Sequence, residues 1–402
     1  MSPPRVLFLD HVGSLGGAEL SLLDVAAHFR ATSRVVLFED GPFREALEAK
    51  GVAVDIVPLP AMVRSVTRGG GGLRDLLAAP YVLAHAVRVA RMARAFDVIY
   101  ANSQKAAVVG AAAGVLARRP LVWHLRDLMT ASHFSRSKRR IAAGVGRLAA
   151  RVIANSEATR EAFVEIGGRR GRAFTVYNGI APRPFEADRC RTARALRQTW
   201  GVGDAPLVGA FSRLTPWKGQ DVLIEALPRL PGVHALIVGG ALFHDDEAFA
   251  RGLSRQAARL GVSERVHFLG FRRDVPDVLA AVDVVVHTSR EPEPFGRVIV
   301  EGMLAGRPVV ATEGGGASEI LTDGRTGRLV SPSAPAALAE AVGGLLDSPA
   351  EAEALAEAGR REARERFSLH AMTAAVERHV RAVAEARAPS RLARLRRTTP
   401  TA

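Results

Sequence analysis

The chain has 402 residues, of which 48% are apolar and 24% charged. That length accommodates two domains with sizeable buried cores, and the composition excludes a globally disordered chain, a collagen-like repeat and a disulfide-rich scaffold. Basic residues outnumber acidic ones by 55 to 41; residues 1–185 hold 26 basic against 14 acidic, and residues 186–402 hold 29 against 27. The excess in the first half suits an anionic partner such as phospholipid headgroups, a phosphorylated substrate or nucleic acid. An arginine-rich composition gives the same excess without any partner. The single cysteine, Cys190, cannot form an intramolecular disulfide, which suits a reducing cytoplasm. No charged segment precedes a long apolar run at the N-terminus, so a signal peptide is not expected. The apolar run 106–117 is too short to span a bilayer.

Short apolar runs alternate with helical patterns along the whole chain. Strands are expected at 6–10, 35–39, 52–57, 97–101, 121–125, 151–155 and 174–178. A second series follows at 207–212, 234–239, 265–270, 282–287, 308–312 and 327–331. Runs without polar alternation, separated by helices, read as parallel sheets covered on both faces. Two such series give two doubly wound domains. The boundary falls near 179–200, where two prolines break the pattern. Residues 58–72, ending in four glycines, read as a mobile loop. Residues 334–388 read as helical, and the basic residues 389–402 as a frayed tail.

Three constellations stand out. GSLGGAE, with Gly13, Gly16, Gly17 and Glu19, follows the first strand. Its glycines let backbone amides approach an anion at a helix N-terminus, although the spacing is neither GxGxxG nor a P-loop. SRLTPWKGQD places Arg213 and Lys218 on the loop after the first strand of the second series, where two cations can clamp a diphosphate. EPEPFGRVIVEGMLAGRPVVAT sets Glu293 in a loop and Glu301 inside the helix that Phe295 and Gly296 introduce. The two carboxylates are too far apart along the chain to flank one bond, which argues against a glycosidase pair. Glu301 can accept two hydrogen bonds from a ribose diol, and GGGASE (314–319) lines the same crevice.

Among the remaining candidates, His11 and His287 read as structural. Asn155 and Ser156 fit either a helix cap or a binding role. The acidic run Asp245–Glu247 favours the positive end of the helix it opens rather than a metal, and no Asp-x-Asp of the metal-dependent kind follows a strand. Segments 78–96 and 135–152 combine apolar and cationic residues and fit either domain helices or an anionic bilayer surface.

Taken in order, GGAE, NS (155–156), YNG (177–179), SRLTPWKG, RVHFLGFRRDV, the two glutamates with PFG between them, GRPVVAT, SEIL and DGRTGRLV resemble the retaining glycosyltransferases of family 4. The resemblance implies the α/β GT-B fold, two doubly wound Rossmann-like domains facing a central cleft. It implies an acceptor-side domain over 1–180, a linker at 181–200, a nucleotide-sugar-binding domain over 201–366 and a C-terminal helix at 367–388 that packs back on the first domain. Arg213, Lys218, Gly17, Phe295 and Gly296 would then hold the donor diphosphate, Glu301 the ribose, and Phe271 and Arg272 the base. Glu293 and His124 would serve the reacting sugar. The resemblance implies sugar transfer to a hydroxyl acceptor with retention, in envelope polysaccharide, glycolipid or small-molecule glycoside synthesis. The nucleotide sugar is a co-substrate, with no cofactor and no required metal. A cytoplasmic protein at the inner membrane face is expected. A nucleotide-sugar epimerase on the same fold, and a non-catalytic nucleotide-sugar or nucleic-acid-binding protein, are the alternatives. No nucleic-acid-binding pattern is present, so nucleic acid is not an expected partner.

Overall fold

A computed structural model describes residues 3–60, 73–241 and 244–387. Most of the 58–72 stretch and the basic tail lie outside the described residues. The chain forms two compact units, residues 1–177 with 372–402, and residues 178–371. Each is built on a parallel sheet.

In the first unit the strands are β1 (Val6–Asp10), β2 (Ser33–Leu37), β3 (Val54–Ile56), β4 (Val98–Ala101), β5 (Leu121–Leu125), β6 (Arg151–Ala154) and β7 (Ala173–Thr175), in the order β3-β2-β1-β4-β5-β6-β7. In the second they are β8 (Leu207–Phe211), β9 (His234–Val238), β10 (Val266–Gly270), β11 (Val284–His287), β12 (Val309–Thr312) and β13 (Arg328–Val330), in the order β10-β9-β8-β11-β12-β13. These elements match the thirteen expected strands. Continuous burial explains why. β1, β5 and β8 are buried at every residue, so their sequences are apolar apart from Asp10 and His124 rather than alternating. Helices cover the sheets and close the cores, with Trp123 against Phe163 edge-on at 5.8 Å in the first unit.

In both sheets the chain reverses its direction of growth beside the first strand. β1 lies between β2 and β4, and β8 lies between β9 and β11. Crevices outside the carboxyl ends of strands at such a reversal are where open α/β sheets bind ligands. The singled-out loops all leave those ends: Gly13–Glu19 after β1, Arg213–Gly219 after β8, and Glu293–Gly296 after β11.

Residues 181–200, read from the sequence as a linker, carry two helices, Arg183–Glu186 and Cys190–Thr199. Pro184 sits in the first turn of its helix, where a missing amide costs nothing. Both helices belong to the second unit. Arg189 bonds Asp277 at 2.6 Å, and Arg197 donates to the carbonyls of Gly203, Ala205 and Ala281 at 2.9, 2.5 and 2.8 Å. The C-terminal helix Leu369–Arg387 packs on the first unit. Met372, Val376 and Val380 are buried, His28 meets Glu377 at 2.8 Å, and Arg151 donates to His379 at 2.6 Å.

Arg197 ties three backbone carbonyls together through one guanidinium. Arg197→Met should cost about 1.5–3 kcal/mol, the range for hydrogen bonds to a charged group. Denaturant titration checks this. A midpoint shift at constant slope is the expected outcome, and an unchanged midpoint would contradict it.

Candidate functional site

In the second unit the β8 loop and the β11 loop meet through their charges. A short 3-10 turn, Pro216–Lys218, precedes Gly219, which has φ +65°. A Cβ there would lie 2.1 Å from the Thr288 carbonyl oxygen, so only glycine lets the two loops approach this closely. The Thr288 hydroxyl donates to the Lys218 carbonyl at 2.9 Å, and the Arg290 amide to the Trp217 carbonyl at 2.8 Å. The Lys218 ammonium sits 4.2 Å from the Trp217 ring centroid and donates to both Glu293 oxygens at 2.6 Å. The sequence assigned Lys218 and Glu293 to different parts of a donor; the structure pairs them directly.

Glu293 is 9% exposed. Burial pushes its carboxyl up, but the Lys218 charge and the His287 and Lys218 hydrogen bonds outweigh it and hold Glu293 well below the usual carboxylate range. Ser289 Oγ also donates to Oε2 at 3.0 Å, and His287 Nε2 lies 3.3 Å from the same oxygen. His287 therefore belongs to this cluster rather than to a purely apolar core.

The glutamate loop is fixed from behind. The Gly316 amide donates to the Glu293 carbonyl at 2.8 Å, and a Cβ on Gly316 would sit 2.5 Å from the Phe295 backbone. The Phe295 ring is buried edge-on against Phe367 at 5.8 Å, which leaves only its backbone at the loop surface. Gly296 caps the helix Arg297–Leu304. One turn in, Glu301 lies 3.3 Å from Arg297 on the same face. Arg213 leaves the end of β8, with its carbonyl held by Gln220 at 2.8 Å and its Nε 3.8 Å from the buried Asp246. The Gly239 amide donates to the Gly270 carbonyl at 2.8 Å, which brings the segment Phe271–Arg272 to this same end of the sheet. Phe271 is 60% exposed, and Arg272 is held by Asp274 through two hydrogen bonds of 2.8 and 2.5 Å.

In the first unit, polar residues end or follow four neighbouring apolar strands. Asp10 ends β1, Asn102 follows β4, Arg126 follows β5 and Asn155 follows β6, and all four are buried. Asn102 donates to Asp10 at 2.7 Å and accepts from Arg126 Nε at 2.9 Å. Ser156 caps the helix Glu157–Glu165 through the Thr159 amide at 3.0 Å, while Asn155 Oδ1 is buried without a hydrogen-bond partner among the described residues. Gly17 opens the helix Gly17–His28, and Glu19 turns back to accept the Gly16 amide at 3.0 Å. Burial and the Asp10 charge raise the Glu19 carboxyl to about 8 against the pull of these amides and Arg126.

His124 is fully buried. Its Nδ1 is hydrogen-bonded to the Tyr100 hydroxyl, and its Nε2 has no hydrogen-bond partner among the described residues. Burial, then the Arg126 and His379 charges, hold it well below the ordinary imidazole range, so it is neutral at neutral pH. The sequence pointed to His124 and the glycine turn, but not to Asp10, Asn102 or His287. Their available signal was a polar residue at the end of an apolar parallel strand.

Residues 194–362 match the family model for glycosyl transferases group 1, and residues 16–179 match a glycosyl transferase 4-like domain. Anabaena Alr3699/HepE, solved in complex with UDP and glucose, is 41% identical, with a TM-score of 0.86 covering 94% of this chain and 99% of that one. A GDP-mannose-dependent alpha-(1-6)-phosphatidylinositol monomannoside mannosyltransferase from Mycolicibacterium smegmatis is 36% identical over 236 residues, 54% of this chain and 60% of that protein. The lipopolysaccharide core biosynthesis glycosyltransferase LpsE of Rhizobium meliloti is 34% identical over 209 residues, 48% of this chain and 59% of that protein. The matched segments thus span about three fifths of these two curated relatives.

Glu19 has a raised folded pKa, so the folded state holds its proton more tightly than the unfolded chain. This group favours folding below pH 4.5, and the advantage is lost as pH rises from 4.5 to about 8. Glu19→Gln keeps an acceptor for the Gly16 amide and removes the charge. Melting temperatures measured across pH 5–9 should fall less steeply in the variant, which should be the more stable protein at pH 8.5. Parallel curves would contradict this assignment.

Proposed function

The chain belongs to the glycosyl transferases group 1, GT4-like proteins of the GT-B fold, and from that premise we propose that it moves a glycosyl group from a nucleoside-diphosphate sugar to an acceptor hydroxyl with retention of configuration. The observation that carries this reading is the buried Lys218–Glu293 pair beside a glycine-fixed loop at the strand reversal. It sets a phosphate-binding cation against a carboxylate that stays charged. Arg213 and Lys218 bind the diphosphate, with backbone amides around Phe295 and Gly296 adding partial positive charge. Glu301 accepts from the ribose diol. Phe271 offers a ring face to the base, and Arg272, oriented by Asp274, borders it. The 41% identity to Alr3699/HepE along nearly the whole chain favours a uridine nucleotide over the guanosine nucleotide named for the mannosyltransferase.

Glu293 faces the sugar, where positive charge grows as the glycosidic bond breaks. His124, being neutral, offers a ligand of the first unit a hydrogen bond rather than an ion pair. The departing phosphate oxygen takes the acceptor proton while the acceptor oxygen forms the new bond on the same face. Arg213 and Lys218 carry the developing negative charge without a metal.

The acceptor is a hydroxyl of an envelope glycan or glycolipid, and the protein works at the inner face of a membrane. No described helix is long and apolar enough to cross one. The helix Arg136–Leu148 instead exposes Ile141 (43%) and Leu148 (60%) among Arg136, Arg140 and Arg147. Each cation near an anionic surface contributes roughly 1 kcal/mol, screened by salt. Sedimentation should therefore be greater with phosphatidylglycerol-containing vesicles than with phosphatidylcholine alone. Equal sedimentation would sink the membrane reading.

A thermal-shift panel of UDP, GDP, ADP and their glucose conjugates tests the donor, with UDP and UDP-glucose expected to stabilise most. The two glutamates should then separate. Glu301→Ala removes charge-assisted bonds to a part of the donor that does not react, worth about 1.5–3 kcal/mol, so it should raise donor KM roughly 10- to 150-fold and change kcat less. Glu293→Gln should lower kcat roughly 10- to 1,000-fold with nucleotide affinity little changed. Identical kinetic signatures would refute these roles.

A further inference from the structure

We infer that His287 is a positioning residue, which keeps the Glu293 carboxylate in place for the sugar when Lys218 turns to the donor phosphates. This rests on the roles proposed above for Glu293 and Lys218. In the structure the two neutralise each other at 2.6 Å, so a diphosphate must draw on the same three ammonium protons that Glu293 uses. A carboxylate that is 9% exposed cannot give up that partner unless others remain. Two do, and both hold Oε2: Ser289 Oγ at 3.0 Å and His287 Nε2 at 3.3 Å.

The proton count makes His287 the donor in its contact. Ser289 has one hydroxyl proton and gives it to Glu293, so Ser289 Oγ faces His287 Nε2 at 3.1 Å as an acceptor. Thr312 gives its proton to the Ser289 carbonyl at 2.8 Å and so offers His287 Nδ1 only a single long contact at 3.4 Å, against two acceptors, one of them charged, at Nε2. With acceptors around Nε2, its N–H points at Glu293. The backbone enforces this. His287 ends β11 opposite Ala311, and Thr312 is the next residue of β12. His287 is 5% exposed, Ser289 1% and Thr312 4%, so water cannot take over these bonds. Glu293 is the charged group facing the ring, with Lys218 immediately behind it.

The test measures UDP release from UDP-glucose and direct UDP binding, per folded molecule. His287→Phe fills the site but donates nothing. It should lower kcat at least tenfold, leave the UDP Kd within about threefold, and move the acid limb of kcat to higher pH because Glu293 loses a donor. His287→Gln, which restores an N–H, should recover most of the loss. The double variant His287→Phe/Glu293→Gln should be no slower than Glu293→Gln alone, because the histidine acts through the glutamate. Ser289→Ala, which removes the other donor to Oε2, should lower kcat in the same direction and carries the test if the ring substitution unfolds the protein. Turnover within twofold of wild type in His287→Phe, or multiplicative losses in the double variant, would overturn the inference. Full turnover in Glu293→Gln would remove the role of Glu293 itself and this proposal with it; a slow Glu293→Gln beside a normal His287→Phe would remove this proposal alone.

Discussion

A carboxylate taken out of water keeps its charge only if its surroundings replace the lost hydration. Glu293 meets that condition through Lys218, Ser289 and His287, and the rest of the second unit is arranged around the requirement. Gly219 brings the β8 loop close enough for Lys218 to reach, Gly316 lets the following loop lie against Phe295, and Thr312 sets the histidine. Breaking one partner from a buried pair leaves the other uncompensated, so the site holds together as a set. The same condition makes it a poor place for an apolar ligand and a good one for a ligand that brings phosphates to the lysine and hydroxyls to the glutamate.

The first unit solves the opposite problem. There burial wins over charge. Glu19 is raised to about 8, and His85 and His379 are each lowered to about 4, burial being the largest cause in every case. With His124 also held neutral, these ionisable side chains act mainly as neutral hydrogen-bonding groups at neutral pH.

Much of the fold was legible because parallel strands buried on both faces leave an unmistakable trace: VLFLD, LVWHL and LVGAF have no apolar–polar alternation to confuse with another class. The glycine turns were legible for the same reason, since few residues other than glycine tolerate a backbone 2–3 Å from where a Cβ would lie. The stretch 181–200 was not. Its prolines read as breaks, yet a proline in a first helical turn is neutral, and the helices there are held by distant partners, Asp277 and the Ala281 carbonyl, which no local pattern reveals. The Lys218–Glu293 contact was hidden likewise. It joins residues 75 positions apart and exists only because two strand ends are neighbours in the sheet. His287 looked like a strand-end histidine of no special use because its meaning lies in the proton count of its neighbours.

The first unit is discontinuous in sequence. Its sheet is complete by Thr175, but the helix that covers Ser21, His28, Arg151 and Phe174 begins only at Leu369, after the whole second unit. During synthesis the second unit can finish folding while the first still waits for its last element, leaving the apolar surface that Met372, Val376 and Val380 will cover open to chaperones for nearly 200 residues of elongation. A stop codon anywhere in the second unit would therefore damage both halves, and a fragment ending at residue 177 is not a natural domain.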